Sequence, residues 1–481
     1  MEKEKISYVK AVLLMGIFTF LFLSIEYLYV NVVLGILSEE ATVKAQNYAL
    51  GASAIGFVIY PVCCRICKGM YQTAGWIVNG IIIAAGLIGV KQGNSADMVL
   101  TLGLVLFLFL GIMGSAVFYF ALCLLKNDRY LARIAGVGYM TGILLQVLKN
   151  TLLQSEVAEM ILFLLFLTGL EILLIRTGKQ MDEGENENTA GNGLEAKAAK
   201  REGTGKNKTS TAAVLLLIVL VVLLTCIFST LDNAVTLVHA TGAVDIGQAP
   251  RFILAFSGLL AGFLFDIGNR KFMNMVMYCV TLLSTLCVAA LKFSEPFLMG
   301  LIIFYMSAGF FAVFFTTAFM EISRYTHLPE LWAGMGRAVN NLTAAVITGG
   351  SLNLLSSELN IQMLVITILV FVLASVVTTA YTYEKKKLME IPEPDKKPAG
   401  ELDEKRRIRQ IAERFSFTER ETETFFCLVS TEDSVQQIAD DLCVSKRTLE
   451  RYISSIYEKT GVKSRVALIG IYNIGHNPHD L

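Results

Sequence analysis

Residues 417–468 read FTERETETFFCLVSTEDSVQQIADDLCVSKRTLERYISSIYEKTGVKSRVAL, the one compactly patterned, water-soluble stretch in a chain otherwise made of long apolar runs. Thr418-Glu419-Arg420-Glu421 has the form of a capping box, in which side chains at both ends satisfy free amides, so a helix is expected to start there. Phe425, Leu428 and Val429 recur at helical spacing and give that helix one apolar face. Ser434 is a second cap and opens a short helix over 435–442. Cys443-Val444 makes a tight turn, and Ser445 caps a third helix from Lys446 to about Thr460 that stops at Gly461. Two helices joined by a short turn, the second serine-capped and basic at its start, form the layout that puts a helix into the major groove.

Thr418-x-Arg420-Glu421, Ile438-Ala439, Val444-Ser445, Thr448-Leu449, Ile456-Tyr457-x-Lys459-Thr460-Gly461-Val462 and Ser464-Arg465 fall in the order and spacing of the LuxR-type DNA-binding domain, which this segment resembles. The resemblance implies binding to double-stranded DNA and a homodimer formed through the last helix, at about 464–474. Three positions depart from the family pattern. Glu432 stands where glycine is usual, Glu450 where lysine is usual and Tyr452 where histidine is common.

Helical geometry sorts the third helix independently. Leu449, Ile453 and Ile456 share the face that packs inward, which leaves Lys446, Arg447, Glu450, Arg451 and Ser454 pointing out. With Thr448, Tyr452, Lys463 and Arg465 these are the candidate DNA-contacting residues. Residues 446–465 carry six basic and two acidic side chains, whereas 418–441 carry one basic and seven acidic. The charge is polarised, and phosphate attraction needs a positive face rather than a positive total.

The rest of the chain is a membrane protein by composition: 54% of the 481 residues are hydrophobic and 17% charged. Apolar runs of spanning length fall at about 8–37, 46–64, 71–90, 98–125, 130–152, 157–175, 211–238, 248–265, 272–291, 297–320, 332–355 and 361–383. The first is too long for a signal-peptide core. The predicted fold is therefore all-α: a polytopic twelve-helix bundle, six plus six, followed by a small helix-turn-helix domain. The expected domains are 1–175 and 211–383 as the two halves, 176–210 as a disordered loop, 384–416 as a charged linker with a basic lead-in helix, and 417–481 as the DNA-binding domain.

Loop charge sets the topology. With the amino terminus inside, the inner segments carry Arg65, Lys68, Lys126, Arg129, Arg133, Arg270, Lys271, Arg324, Arg337 and the Lys385-Lys386-Lys387 run. The outer borders carry only Lys44, Lys91, Lys149, Arg251 and Lys292. Twelve spans return the carboxyl terminus to the cytoplasm, where DNA is, so a multi-pass protein of the cell's inner (plasma) membrane with both termini cytoplasmic is expected.

Two halves should repeat internally. Ala135-Gly136-Val137-Gly138 opens the fifth span and Ala333-Gly334-Met335-Gly336 the eleventh. Glu26 in the first span corresponds to Asp232 in the seventh. After the eighth span, Gly262-Phe263-Leu264-Phe265-Asp266-Ile267-Gly268-Asn269-Arg270-Lys271 resembles the signature loop of major facilitators, with the second glycine displaced by one. That resemblance implies a major-facilitator-like architecture, with Asp266, Arg270 and Lys271 as a cytoplasmic latch and the first and seventh spans facing a central cavity.

Ionisable groups inside spans are costly and are functional candidates by default. Glu26, Tyr29 and Asn31 on the first span, and Asp232, Asn233 and His239 on the seventh, are the candidate ligand-cavity residues. Glu321, Arg324 and His327 are expected to form an inner charge network that Arg337 joins. No nucleophile, phosphate loop or metal-ligand cluster is legible, since Cys63-Cys64-x-x-Cys67 has no accompanying ligands. An enzyme, a metal and a cofactor are therefore not expected.

The reading that joins these parts is a membrane-tethered transcription regulator whose transporter-like domain senses a small molecule. Two alternatives stay open: a major-facilitator-type solute transporter with an appended regulatory DNA-binding domain, and a membrane anchor with no ligand.

Overall fold

The structure, a computed structural model of the 481-residue chain, describes residues 2–66, 70–125, 128–153, 155–191, 211–240, 250–290, 297–356, 360–389, 408–430, 434–442 and 444–474. The chain divides into two compact units, Met1–Leu388 and Met389–Leu481.

Among the described residues the first unit is a bundle of twelve long helices: α1 (Glu2–Leu34), α2 (Glu39–Ile66), α3 (Met70–Gln92), α4 (Ala96–Leu124), α5 (Leu131–Leu152), α6 (Glu156–Gly191), α7 (Thr211–Ala240), α8 (Pro250–Phe265), α9 (Met273–Ala290), α10 (Phe297–Ser323), α11 (Met335–Ser356) and α12 (Asn360–Met389). Helix is the economical answer for apolar sequence in lipid, because every backbone donor and acceptor is satisfied within the segment. Among the described residues nine of these helices are long and apolar enough to cross a membrane; α8 and the apolar part of α9, Met273–Leu286, are shorter. α11 is interrupted by Arg337, Asn340 and Asn341, all of which line an internal cavity. The outward faces are apolar instead, with Ile81, Leu165, Val346 and Leu369 largely exposed. Lipid would cover them.

Phe18 anchors the interior of the first half, its ring meeting those of Phe22, Phe57 and Phe118. Across the halves, α2 packs on α11 and α5 on α8. At the α5–α8 crossing the two backbones are nearly in contact: a Cβ on Gly136 would lie 2.7 Å from the Gly258 carbonyl oxygen and 3.0 Å from Gly262 Cα. Small residues drive such approaches in membranes, where the hydrophobic effect between helices is absent. The first Ala-Gly-x-Gly copy thus has a structural reason for its glycines.

Two boundaries differ from expectation. α6 continues to Gly191 instead of ending near 175, and Lys10 Nζ donates to Gln180 Oε1 at 2.8 Å, tying the extension to α1. The segment 176–183 contains no proline and several good helix formers, so leaving the apolar run does not end the helix. Residues 192–210 of the expected loop lie outside the described residues. α12 likewise runs on to Met389, which places Lys386 and Lys387 in its last turn, where cations suit the helix dipole.

The second unit contains α13 (Glu419–Ser430), α14 (Val435–Asp441), α15 (Lys446–Thr460) and α16 (Arg465–Ile474). All three expected caps form. Thr418 N donates to Glu421 Oε2 at 2.7 Å, Ser434 N donates to Gln437 Oε1 at 2.9 Å, and Ser445 Oγ accepts from Thr448 N at 3.2 Å. Gly461, at φ +73°, ends α15 in the left-handed region that only glycine enters freely. Residues 408–414 are helical, and Ile408 and Ile411 are buried in one core with Phe425, Leu428, Ile438, Leu449, Ile456 and Leu468. The lead-in helix therefore belongs to this module. Residues 390–407 and Glu432 lie outside the described residues.

Candidate ligand cavity and nucleic-acid interface

A cavity of ≈ 170 Å³ lies between the two halves of the bundle. Glu26 on α1 and Asp232 on α7 both line it, as the repeat predicts, but so do Arg251 on α8 and Arg337 on α11. Two carboxylates and two guanidiniums share one small space. Gln46 Nε2 donates to Glu26 Oε1 at 2.7 Å, and Arg251 Nη1 donates to Gln146 Oε1 at 2.5 Å. The Arg337 guanidinium lies 5.4 Å from the ring centroids of both Phe22 and Phe315, and its Nε is buried with no hydrogen-bond partner. Asn340 accepts from Thr225 Oγ1 at 3.2 Å, and Asn341 Nδ2 donates to Ser53 Oγ at 2.9 Å across the halves.

The other four sequence candidates are not in this cavity. Tyr29 is 1% exposed and packs on Phe107 over Gly103, whose missing Cβ opens the slot for the ring. Asn233, one residue past Asp232, is turned towards α2 and α11. It accepts from Asn47 Nδ2 at 2.9 Å and donates to Ser351 Oγ at 2.6 Å. Asn31 and His239 meet each other at 3.3 Å between α1 and α7. Asn31 instead lines a separate pocket of ≈ 450 Å³ with Lys91, Lys149 and Glu159. Neighbouring residues on a helix point 100° apart, so adjacency in sequence to a cavity residue does not confer the same face.

Arg251 and Arg337 are the residues that loop charge missed. Each lies within a turn of its helix start, where basic residues usually mark a border with water, and the sequence shows nothing that separates them from anchors. Arg337 therefore leaves the expected inner network. Glu321 does form such a network, though with other partners: Arg270 Nε donates to Glu321 Oε1 at 2.8 Å and Lys385 Nζ to Glu321 Oε2 at 2.5 Å. Arg324 donates instead to the Leu125 carbonyl at 2.8 Å, and His327 is exposed.

The latch loop reaches across the halves. Asp266 is buried, and its carboxylate accepts from Ala132 N at 3.2 Å and Arg133 N at 2.8 Å, in the first turn of α5. A carboxylate there satisfies orphan amides and meets the positive end of the helix dipole. Arg270 Nη1 is 3.6 Å from Asp266 Oδ1, so one guanidinium bridges Asp266 and Glu321. Gly268, Asn269 and Arg270 follow one another at φ 60°, 55° and 64°. Holding Asn and Arg in that region costs about 1 kcal/mol each. Lys271 stays exposed, its ammonium 6.0 Å from the Phe272 ring.

In the second unit Lys446, Arg447, Glu450, Arg451 and Ser454 are exposed on one face of α15, and Leu449 and Ile456 are fully buried on the other. Tyr452 is half-buried, with the Arg451 guanidinium 5.8 Å from its ring. Thr448 is engaged at the helix start, Oγ1 to Ser445 Oγ at 2.7 Å, and Lys463 is exposed. Arg465 Nε donates to the Leu428 carbonyl at 2.8 Å, fastening α16 to α13.

Lys459 is also committed. Glu421, 5% exposed, accepts from Lys459 Nζ at 2.6 Å, Ser455 Oγ at 2.7 Å and Thr418 N at 2.7 Å, pinning α15 to α13. Burial alone would push its carboxyl up, but the ammonium and the other donors outweigh that and hold it at about 2.

Residues 415–472 match the family described as bacterial regulatory proteins, luxR family. The bundle is similar in fold to solved transporters. An auto-inhibited POT family peptide transporter superposes with a TM-score of 0.51 at 12% identity, covering 78% of this chain and 96% of that one. A partially occluded, inward-open xylose transporter, XylE from E. coli, gives 0.50 at 15% identity over 78% and 96%. Curated protein sequences offer no match. The chain thus joins a multi-pass helical membrane domain with the fold of those transporters to a LuxR-type helix-turn-helix DNA-binding domain.

Proposed function

We propose that the protein is a membrane-tethered transcription regulator. Its transporter-like domain senses a small molecule, and its helix-turn-helix binds promoter DNA in the cytoplasm as a homodimer. The observation that carries this reading is the union, in one chain, of a LuxR-type domain with a bundle whose two halves enclose a small charged cavity. The mechanism is a population shift: ligand prefers one arrangement of the halves, and the difference in affinity moves the equilibrium.

A route for that shift runs along the cytoplasmic ends. Asp266 joins the second half to α5 of the first, Arg270 joins Asp266 to Glu321, and Glu321 holds Lys385 on α12, the helix that leads by chain continuity into the DNA-binding unit. Separation of the halves at Asp266 would redistribute Arg270 between the two carboxylates and loosen Lys385. Lys446, Arg447 and Arg451 supply the phosphate- and base-contacting face of α15, with Glu450 altering the sequence preference. The absence of enzymatic activity and an inner-membrane location with both termini inside are part of the same proposal.

Genome-wide DNA binding and transcript levels, measured with the intact protein and with Asp232→Asn, test it. The expected result is an unchanged set of bound sites with altered expression from them. Equal expression in both would leave only an anchor. Solute uptake by the reconstituted protein, abolished by Glu26→Gln, would favour a transporter with a regulatory appendage.

A further inference from the structure

The four charged groups of the central cavity are not equivalent, and the difference identifies the chemistry of the molecule that fits there. Glu26 is engaged by Gln46 and Arg251 by Gln146. Asp232 makes no hydrogen bond or ion pair among the described residues, although it lines the cavity. Arg337 is flanked by Phe22 and Phe315 and likewise makes no hydrogen bond or ion pair among the described residues, its Nε being buried and unpartnered. One carboxylate and one guanidinium, on α7 and α11, are thus uncommitted in the same water-poor space.

Charge balance adds a second constraint. With both carboxylates ionised, two carboxylates and two guanidiniums sum to zero, and Glu26 lies within the field of both Arg251 and Arg337. A ligand bearing one net charge would leave the site unbalanced in a medium where an uncompensated ion is expensive. A neutral apolar molecule would leave Asp232 and Arg337 unpaired, which is also unfavourable. A molecule with a cationic donor at one end and an anionic acceptor at the other preserves neutrality and satisfies both groups. The volume, ≈ 170 Å³, is below the roughly 300–1,000 Å³ of drug-sized pockets, so the molecule is small.

We propose that the ligand is a small zwitterion, its ammonium on Asp232 and its carboxylate on Arg337. This rests on the sensing reading for its biological meaning, but not for its test, because binding is measured without transcription.

The probes are ω-amino acids of increasing chain length, from glycine to 6-aminohexanoate, each matched with the alkylamine and the alkyl carboxylate of the same length. Binding to the intact protein in detergent micelles is followed by the shift of its thermal transition and by titration calorimetry. At least one chain length is expected to bind at least about tenfold more tightly than both matched single-charge analogues. Asp232→Asn and Arg337→Gln should each abolish that preference. If the amine or the carboxylate binds the parent protein as tightly as the zwitterion, or if no member of the series binds up to about 10 mM, the assignment is overturned. The comparison among probes uses the parent protein, so it stands even if a variant fails to fold. Zwitterion binding without any change in transcription would leave the inference intact and remove the sensing function.

Discussion

Glu321 Oε2 lies 2.5 Å from Lys385 Nζ, so a carboxylate on α10 holds the carboxyl-terminal end of α12, the helix that leads into the DNA-binding unit. The same carboxylate holds Arg270 at 2.8 Å, and its side chain is only 2% exposed. On the proposed sensing mechanism, a buried group shared between Asp266's partner Arg270 and α12 is where coupling between ligand and DNA binding would be broken without touching either site.

Lys385→Gln tests this. Its side chain is 12% exposed, so losing the ammonium leaves Glu321 still paired with Arg270 and the bundle intact. Ligand binding should persist while the transcriptional response is lost. Glu321→Ala should behave differently, because it takes the nearer of two carboxylate partners from a guanidinium that is 2% exposed, leaving Asp266 at 3.6 Å, at a cost of about 1–3 kcal/mol. A lowered thermal transition for Glu321→Ala and an unchanged one for Lys385→Gln are expected. A normal response in Lys385→Gln would rule the route out.

Asp266→Ala removes both acceptors from the first turn of α5, which should cost about 1–2 kcal/mol. Because those hydrogen bonds join the halves, their removal should also open the cytoplasmic side. Cysteine labelling of a Gly262-adjacent position, such as Ala261→Cys, from the cytoplasmic face should speed up in Asp266→Ala and less in Asp266→Asn, which keeps one acceptor. Equal labelling in parent and Asp266→Ala would mean that the carboxylate caps α5 without closing anything.

The DNA-binding module has an acid-sensitive clasp in Glu421. Its folded-state value, about 2, lies below the ordinary 4.5, so it contributes stability that is fully present above about pH 4.5 and lost as pH falls towards 2. After allowance for solvent screening, the contribution is about 1–2 kcal/mol. Hydrogen-exchange protection of α13 and α15 in the intact protein should fall over that window. In Glu421→Gln it should be lower at neutral pH and flat across the window.

How much of this was legible in the sequence differs by element, for physical reasons. The caps Thr418, Ser434 and Ser445 and the stop at Gly461 are local devices, decided within four residues, and each is where the pattern puts it. Glu26 and Asp232 stand out because acid inside an apolar run has few explanations. Arg251 and Arg337 do not stand out, because a base within a turn of a span's start is what any anchored helix carries. Arg465 looks like a phosphate ligand in a basic stretch, yet its Nε is engaged by the Leu428 carbonyl, more than thirty residues earlier. Long-range partners of this kind leave no local mark in the sequence.

That distinction makes the final prediction. Arg447 and Arg451 are exposed on α15, whereas Arg465 donates to the Leu428 carbonyl at 2.8 Å. Replacing Arg447 or Arg451 by alanine should weaken DNA binding and lower the slope of log affinity against log salt by about one for each phosphate no longer neutralised, with the thermal transition unchanged. Arg465→Ala should instead lower the stability of the module by about 1–2 kcal/mol, the cost of a buried carbonyl left without its charged donor, and should leave the salt slope nearly as it was. Fluorescence anisotropy with the intact protein across a salt series, alongside thermal unfolding, separates the two. A drop in salt slope for Arg465→Ala equal to that for Arg447→Ala would place Arg465 on the DNA after all.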